Sequence, residues 1–502
     1  MKHITKYILL PIFTIMLTAV SCKKDFLNQA PEATIVGQNF FKTETDIKQA
    51  VNGAYSSLIG MGLTSYWLFG EMRSDNTTYQ YNPTDRGQEQ REFVDEFLAT
   101  ATSPKIQQYW QESYTAISRC NDVLDHVDKV TMTDQSKNQY IGEVKFLRAF
   151  HYFNLVRQFG GVPLRLTSVQ SPGDAMSKGR ASENDVYTQI IADLTAASGS
   201  LPAKYTGVDI GRATKGTAFA LLGKVYLTQK KYTEALTALQ NVTGYALLPD
   251  YASVFDPSNK NNAESIFEIQ YLGTKPELAS NFLYQFAPYT SGSIVTGDAG
   301  TQLGSGNGWN IPTQDMIDAY ETGDVRKDIS LATGYTGANG VFVSVPYVKK
   351  YNHGFVDRGR TNDDFPLIRY ADVVLMMAEC LNEQGFAANG QAFTLLNSIR
   401  TRAHLPEKTS GNANTALAVN DQAAFRDAVM QERRVELAFE NQRWYDLVRS
   451  GNAVDIMNAH GQRQIKQFSN IPAGSYIVTA NKLLLPLPQH DVTLDNLTQN
   501  PQ

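Results

Sequence analysis

Glu432, Glu436 and Glu440 recur at i, i+4 and i+8, with Arg433 and Arg443 close by. On a helix this spacing places three carboxylates on one face. Paired carboxylates are what glycoside hydrolysis requires, so a secreted glycosidase is one chemistry the spacing allows. Two considerations oppose it. Interspersed arginines keep every carboxylate ionised, which is wrong for a general acid. Residues of a single helix also rarely flank a scissile bond from opposite sides. The favoured reading is a semi-buried ion-pair network on a core helix. No Gly-x-Ser-x-Gly elbow occurs, and Gly304-Ser-Gly-Asn-Gly308 is neither preceded by a strand nor followed directly by a helix, as a phosphate cradle would be. The seven histidines form no His-x-x-x-His and the cysteines no Cys-x-x-Cys, so no metal site, cofactor site or catalytic set is assigned.

Binding chemistry is better represented. Sugars are gripped by flat aromatic faces and by side chains that hydrogen-bond hydroxyl groups. Trp67, Arg73, Asp75, Asn76, Tyr79 and Tyr81 bring that mixture into one short stretch. Tyr284, Tyr289 and Trp309 supply it again further on. These nine form the candidate ligand-binding set. The competing reading for any single aromatic among them, Trp67 above all, is that it packs in the core.

The elements that must position them read as helices. Thr43 is a predicted N-cap with Asp46 three residues on, followed by an apolar face of Ile47, Ala50, Val51, Ala54, Tyr55 and Leu58. Trp110, Tyr114 and Ile117 mark a second helix, and residues 141–159 a third that is apolar nearly all round and stopped by Gly160-Gly-Val-Pro163. Ser182 and Asp185 suggest a capping box opening the next. Phe219, Leu222-Gly223, Tyr226, Ala235 and Leu239 fall on the large, Leu-Gly, Tyr, Ala and large positions of a tetratricopeptide helix pair. One such pair cannot bury its own face, so residues 141–159, 182–198, 369–384 and 390–402 are expected to stack with it. The predicted fold is mainly α: a tetratricopeptide-like superhelix with long irregular insertions and a few short strands. Tyr245 to about Asn362 is the main insertion, with β-like runs at Ser265–Tyr271 and Val341–Val345; residues 60–104 form another irregular stretch, and both are expected outside the repeat core.

The first 21 residues read as a signal peptide: Lys2 and Lys6, an apolar run from Tyr7 to Leu17, then small residues before Cys22. Ala-Val-Ser-Cys22 looks like a bacterial lipobox, although it lacks the usual Leu, and Cys22 is the expected lipid-attachment residue. Removing residues 1–21 takes away two lysines and no acid, moving the net charge from −5 to −7. That balance argues against nucleic acid and against electrostatic adsorption to anionic lipid; membrane association is expected only through the N-terminal lipid. Cys120 and Cys380 sit in apolar helical patterns and read as buried free thiols, with a disulfide as the alternative. Residues 22–502 contain no linker-like break and are read as one domain.

Taken in order, the motifs resemble the SusD/RagB-like family of Bacteroidetes outer-membrane nutrient-binding lipoproteins. They are Asp25-Phe-Leu27, Trp110-x-x-x-Tyr114 with Asn121, Phe146-Leu-Arg-Ala149, Phe159-Gly-Gly-Val-Pro163 and Gly211-Arg-Ala-Thr214. Ala263-Glu-Ser-Ile-Phe267, Asp324-x-Arg326, Arg369-Tyr-Ala, Asn397-x-Ile-Arg-x-Arg-Ala403, Glu432 to Asp446 and Gln499-Asn-Pro501 complete the series. The resemblance implies a lipid-anchored, outer-membrane protein facing the cell exterior. It would bind oligosaccharide without a cofactor and pass it to a SusC-like TonB-dependent transporter. A same-fold binder of peptide or another nutrient is the alternative. The motifs belong to the shared scaffold and say little about which ligand is bound.

Overall fold

In the computed structural model the described residues are 40–169, 173, 179–304 and 307–502. Cys22, the expected signal segment and the residues up to 39 lie outside them. Twelve helices carry the architecture: α1 (Glu44–Thr64), α2 (Glu89–Asp95), α3 (Pro104–His126), α4 (Asp134–Phe159), α5 (Glu183–Ser200), α6 (Lys215–Thr228), α7 (Tyr232–Gln240), α8 (Tyr370–Gln384), α9 (Gln391–Arg402), α10 (Gln422–Glu436), α11 (Arg443–Ser450) and α12 (Ala453–Gln467).

Capping and periodicity explain where the helices begin and which way they face. Thr43 and Asp46 form the full reciprocal box at α1, whose buried residues include Ile47, Val51, Ala54 and Leu58. Ser182 caps α5 from its side chain, but Asp185 answers the hydroxyl at 2.7 Å rather than the backbone, so only half of the box forms. α4 is buried on nearly every side along its second half and ends at Gly160.

Packing partners follow one another along the chain. α1 lies on α3, α3 on α4, α4 on α5, α5 on α6, α6 on α7, α7 on α8, and α8 on both α9 and α10. This is the nearest-neighbour order of a tetratricopeptide-like superhelix. Gly223 shows why its position tolerates no side chain: a Cβ there would lie 2.5 Å from Leu239 on the paired helix. Cys120 and Cys380 are free and buried.

Four two-stranded antiparallel ribbons are appended. β1 (Thr77–Thr78) pairs with β3 (Ile311–Pro312), and β2 (Ser265–Ile269) with β8 (Phe365–Arg369), directly before α8. β4 (Leu331–Ala332) pairs with β7 (Tyr347–Val348), and β5 (Tyr335–Thr336) with β6 (Phe342–Val343). Both β-like runs read from the sequence therefore contain strands.

The expectation that both irregular stretches lie outside the repeat core is corrected: from the long insertion, Phe267, Ile269, Phe282, Trp309 and Met316 are buried in the same hydrophobic core as the helices. Residues 60–104 do not lie outside the core: α1 continues to Thr64, and the chain from Ser65 to Tyr79 is buried throughout. Polar residues are tolerated there because partners arrive from the far end of the chain. Glu71 accepts from the backbone N–H groups of Phe439 and Asn441, each at 3.0 Å.

Candidate functional site

Inside this fold the acidic face of α10 is a sealed ion-pair network. Glu436 meets Arg326 at 2.9 Å and Arg369 at 2.5 Å, and it also bonds Arg402. Glu432 meets Arg326 and Arg400 at 2.6 and 3.0 Å. Glu440 meets Arg369 and Lys350 at 2.7 and 2.8 Å. α10 ends at Glu436; Phe439 and Asn441, at φ +66° and +61°, turn the chain so that Glu440 points back into the same cluster. The flanking arginines named from the sequence serve other acids. Arg433 pairs with Asp372 and Asp446 at 2.9 Å each, and Arg443 with Asp75 at 2.7 Å. Burial acts to raise the Glu436 pKa, but Arg402, Arg369 and Arg326 outweigh it and hold the carboxyl well below the usual range. A carboxylate so held does not serve as a general acid.

The nine candidate binding residues separate in space. Trp67, Arg73, Asp75, Asn76, Tyr79 and Trp309 are buried; Tyr284 and Tyr289 are half-buried, and Tyr81 is 37% exposed. Trp67 packs edge-on against Phe286 at 5.3 Å. Asp75 is held by Arg443 and by Arg434 at 2.9 Å. Asn76 donates to Glu71 at 2.9 Å and accepts from Arg434. The Tyr284 hydroxyl donates to Asp298 at 2.9 Å, on a separate turn.

Arg73 lies over Phe97 and Trp444, while Tyr79, Tyr81, Tyr289 and Trp309 converge on one loop cluster. Beyond β1, the Gln80 N–H donates to the Gly308 carbonyl at 2.7 Å. Its side chain accepts from the Tyr289 N–H at 2.8 Å and donates to Thr290 at 3.1 Å. Tyr335 adds a hydroxyl donor to Thr290 at 2.9 Å. Gly308 is required at this crossing: its φ is +88°, and a Cβ would stand 3.0 Å from that of Gln80. Behind the latch, Tyr79 and Trp309 pack with centroids 6.4 Å apart, and the Tyr79 hydroxyl donates to Glu96 at 2.5 Å.

In front of it lies a groove of about 370 Å³ between Thr78–Tyr81, Ile311–Gln314, Ser344–Pro346 and the end of α12. Tyr81 and Phe468, 37% and 38% exposed, are its exposed aromatic walls. Gln80, Gln314, Gln464, Gln467 and Asn470 line it with amides, and no acid, lysine, arginine or histidine does. Gln464 is buried, and its Oε1 has no hydrogen-bond partner. Sequence reasoning missed the α12 contribution. Its signal is Gln462, Gln464 and Gln467 ahead of Phe468, amides and an aromatic where a helix stops.

The fold is a helical-repeat scaffold, with the groove formed between its inserted loops and the end of α12. The chain belongs to the SusD/RagB-like family. The profile described as "SusD family" matches residues 329–502, and "Starch-binding associating with outer membrane" matches residues 25–227. SusD-like protein P2 of Formosa agariphila is 28% identical, with 94% of this chain and 95% of that protein covered. The starch-binding protein SusD of Bacteroides thetaiotaomicron is 24% identical over 76% of this chain and 78% of its own. A solved laminarin-binding SusD-like protein superposes with a TM-score of 0.73 at 26% identity, covering 92% of this chain and 99% of its own.

Proposed function

We propose that this chain is a non-catalytic glycan-binding lipoprotein of the outer membrane, which captures oligosaccharide in the groove beside Tyr81 and hands it to a SusC-like TonB-dependent transporter. The observation that carries this reading is the groove's lining, exposed aromatics and amides with no ionisable acid or base. Aromatic faces suit the C–H-rich faces of sugar rings, and amides both donate to and accept from hydroxyl groups. Peptide termini and charged side chains would find no counter-charge among the lining residues; the Arg86 guanidinium, 4.6 Å over the Tyr81 ring, is already paired with Glu92. The named ligands of the relatives, starch and laminarin, are neutral glucans, which agrees with an uncharged groove.

Within the proposed site Tyr81 and Phe468 stack on sugar, Tyr79 and the amides line the groove, and Tyr289 and Trp309 hold the loops in place. Trp67, Arg73, Asp75 and Asn76 act from the interior, and Tyr284 stands apart. A stacking aromatic is worth roughly 2 kcal/mol, so Tyr81→Ala and Phe468→Ala should each weaken binding about thirty-fold with little change in melting temperature. A glycan array supplies the ligand and calorimetry measures the variants. Parent-like affinity in both would place the site elsewhere.

A further inference from the structure

Eight arginines are buried among the described residues. Seven of them, Arg148, Arg326, Arg369, Arg400, Arg402, Arg433 and Arg443, hold a carboxylate. Arg73 does not. It is 3% exposed. It donates to the Lys482 carbonyl and, at 3.4 Å, to Gln158, with its guanidinium over the faces of Phe97 and Trp444 at 5.0 and 4.6 Å. These contacts are neutral and engage only part of a group with five N–H donors. A buried cation without a counter-charge is costly, and this chain meets that cost with an acid at every other such site.

Arg73 also lines a pocket of about 240 Å³, smaller than the 300–1,000 Å³ of drug-sized sites, walled by Phe97, Leu98, Leu484 and Pro486. Lys482 stands on the same wall, its ammonium donating to the Phe97 carbonyl at 3.1 Å. No aspartate or glutamate lines the pocket; Gln502, the last residue of the sequence, does, and among the described residues its carboxylate forms no ion pair with Arg73 or Lys482. We infer that the Arg73–Lys482 pocket is an anion site, separate from the Tyr81 groove, that takes the carboxylate or sulfate of a single small acidic sugar unit. Its two cations would hold the oxyanion and its apolar walls the ring. Burial pushes the Arg73 guanidinium down to about 9, and Lys482 is also lowered, first by burial and then by Arg73. That the natural ligand is a sugar rests on the glycan-capture reading; that the pocket takes an oxyanion does not.

The test uses the full chain carrying Cys22→Ala, at constant ionic strength, with glucuronate, glucose 6-sulfate and neutral glucose as probes. Glucuronate, glucose 6-sulfate or both should raise the melting temperature in proportion to the logarithm of concentration, while glucose should not. The acid that acts identifies the source of the oxyanion. Arg73→Gln should abolish the shift, and Lys482→Gln, at the pocket's more exposed wall, should weaken binding about tenfold. Without ligand, Arg73→Gln should melt no lower than the parent. No shift with either acid, or a shift that survives in Arg73→Gln or is unchanged in Lys482→Gln, overturns the assignment. An intact shift alongside an empty glycan array would leave the anion site standing and remove the glycan reading alone.

Discussion

Glu436 concentrates the logic of the interior in one side chain. It serves Arg326, Arg369 and Arg402 at once, so deleting its charge leaves three buried guanidinium groups to share Glu264, Asp324, Glu432 and Glu440. Removing one member of such a buried set costs on the order of 3–5 kcal/mol, because the remaining charges stay desolvated. Glu436→Gln should therefore lower the melting temperature by several degrees and leave glycan affinity unchanged in protein that stays folded. Loss of affinity at an unchanged melting temperature would place α10 in the binding site instead. That Glu432, Glu436 and Glu440 are structural was legible from their spacing among arginines. Their actual partners were not. Arg326 and Arg369 stand 110 and 67 residues from Glu436 in the chain, and local pattern carries no information about such pairs.

At the level of elements, the sequence displayed what is periodic and hid what is polar and buried. The capping box of α1 and the Leu-Gly pair of α6 follow from local chemistry and were readable as such. The segment from Ser65 to Tyr79 was not, because its alternation of aromatics with Arg, Ser, Asp and Asn has the composition of a surface loop. Its burial depends on Arg434, Arg443 and the backbone at 439–441, which only the closed fold brings near. The same segment runs on into the latch that shapes the groove. Gly308→Val should strain a backbone at φ +88° and push against Gln80, at about 1–3 kcal/mol. Affinity for the array-identified glycan should fall while far-UV circular dichroism stays parent-like. Gln80→Ala, which removes the bonds to Tyr289 and Thr290, should do the same by a different route. Two variants that bind as the parent does would show that the latch does not set the groove.

At the scale of the whole molecule, the proposed capture and the proposed anchorage rest on different residues and can be tested apart. Cys22→Ala should leave the groove's affinity intact and release the protein from the outer membrane, read by fractionation after a carbonate wash. Retention in the membrane pellet would contradict a lipid anchor. The folded body itself carries two opposed sets of carboxyls that determine how it responds to pH. Burial pushes Glu71 and Glu96 up to about 7, and burial together with Glu268 does the same to Asp364. Each of these holds its proton more tightly folded than unfolded, so stability falls as pH rises from the ordinary carboxylate range towards 7 and does not return above it. Asp75, Glu436 and Asp446 are held below that range by their arginines despite burial, so their contribution is present above about pH 4 and is lost as pH falls further. The two slopes meet near pH 4–5, where the melting temperature should peak. Between there and pH 8 it should decline, with each raised group contributing on the order of 1–3 kcal/mol. Glu71→Gln should flatten part of that decline, since its carboxyl is the one that titrates between the Asn76 amide and the backbone at Phe439 and Asn441. Melting curves collected from pH 3 to pH 8 decide it: a profile that rises or stays level from pH 5 to pH 8 would mean that these carboxyls are ionised throughout and that the N–H donors around them outweigh burial.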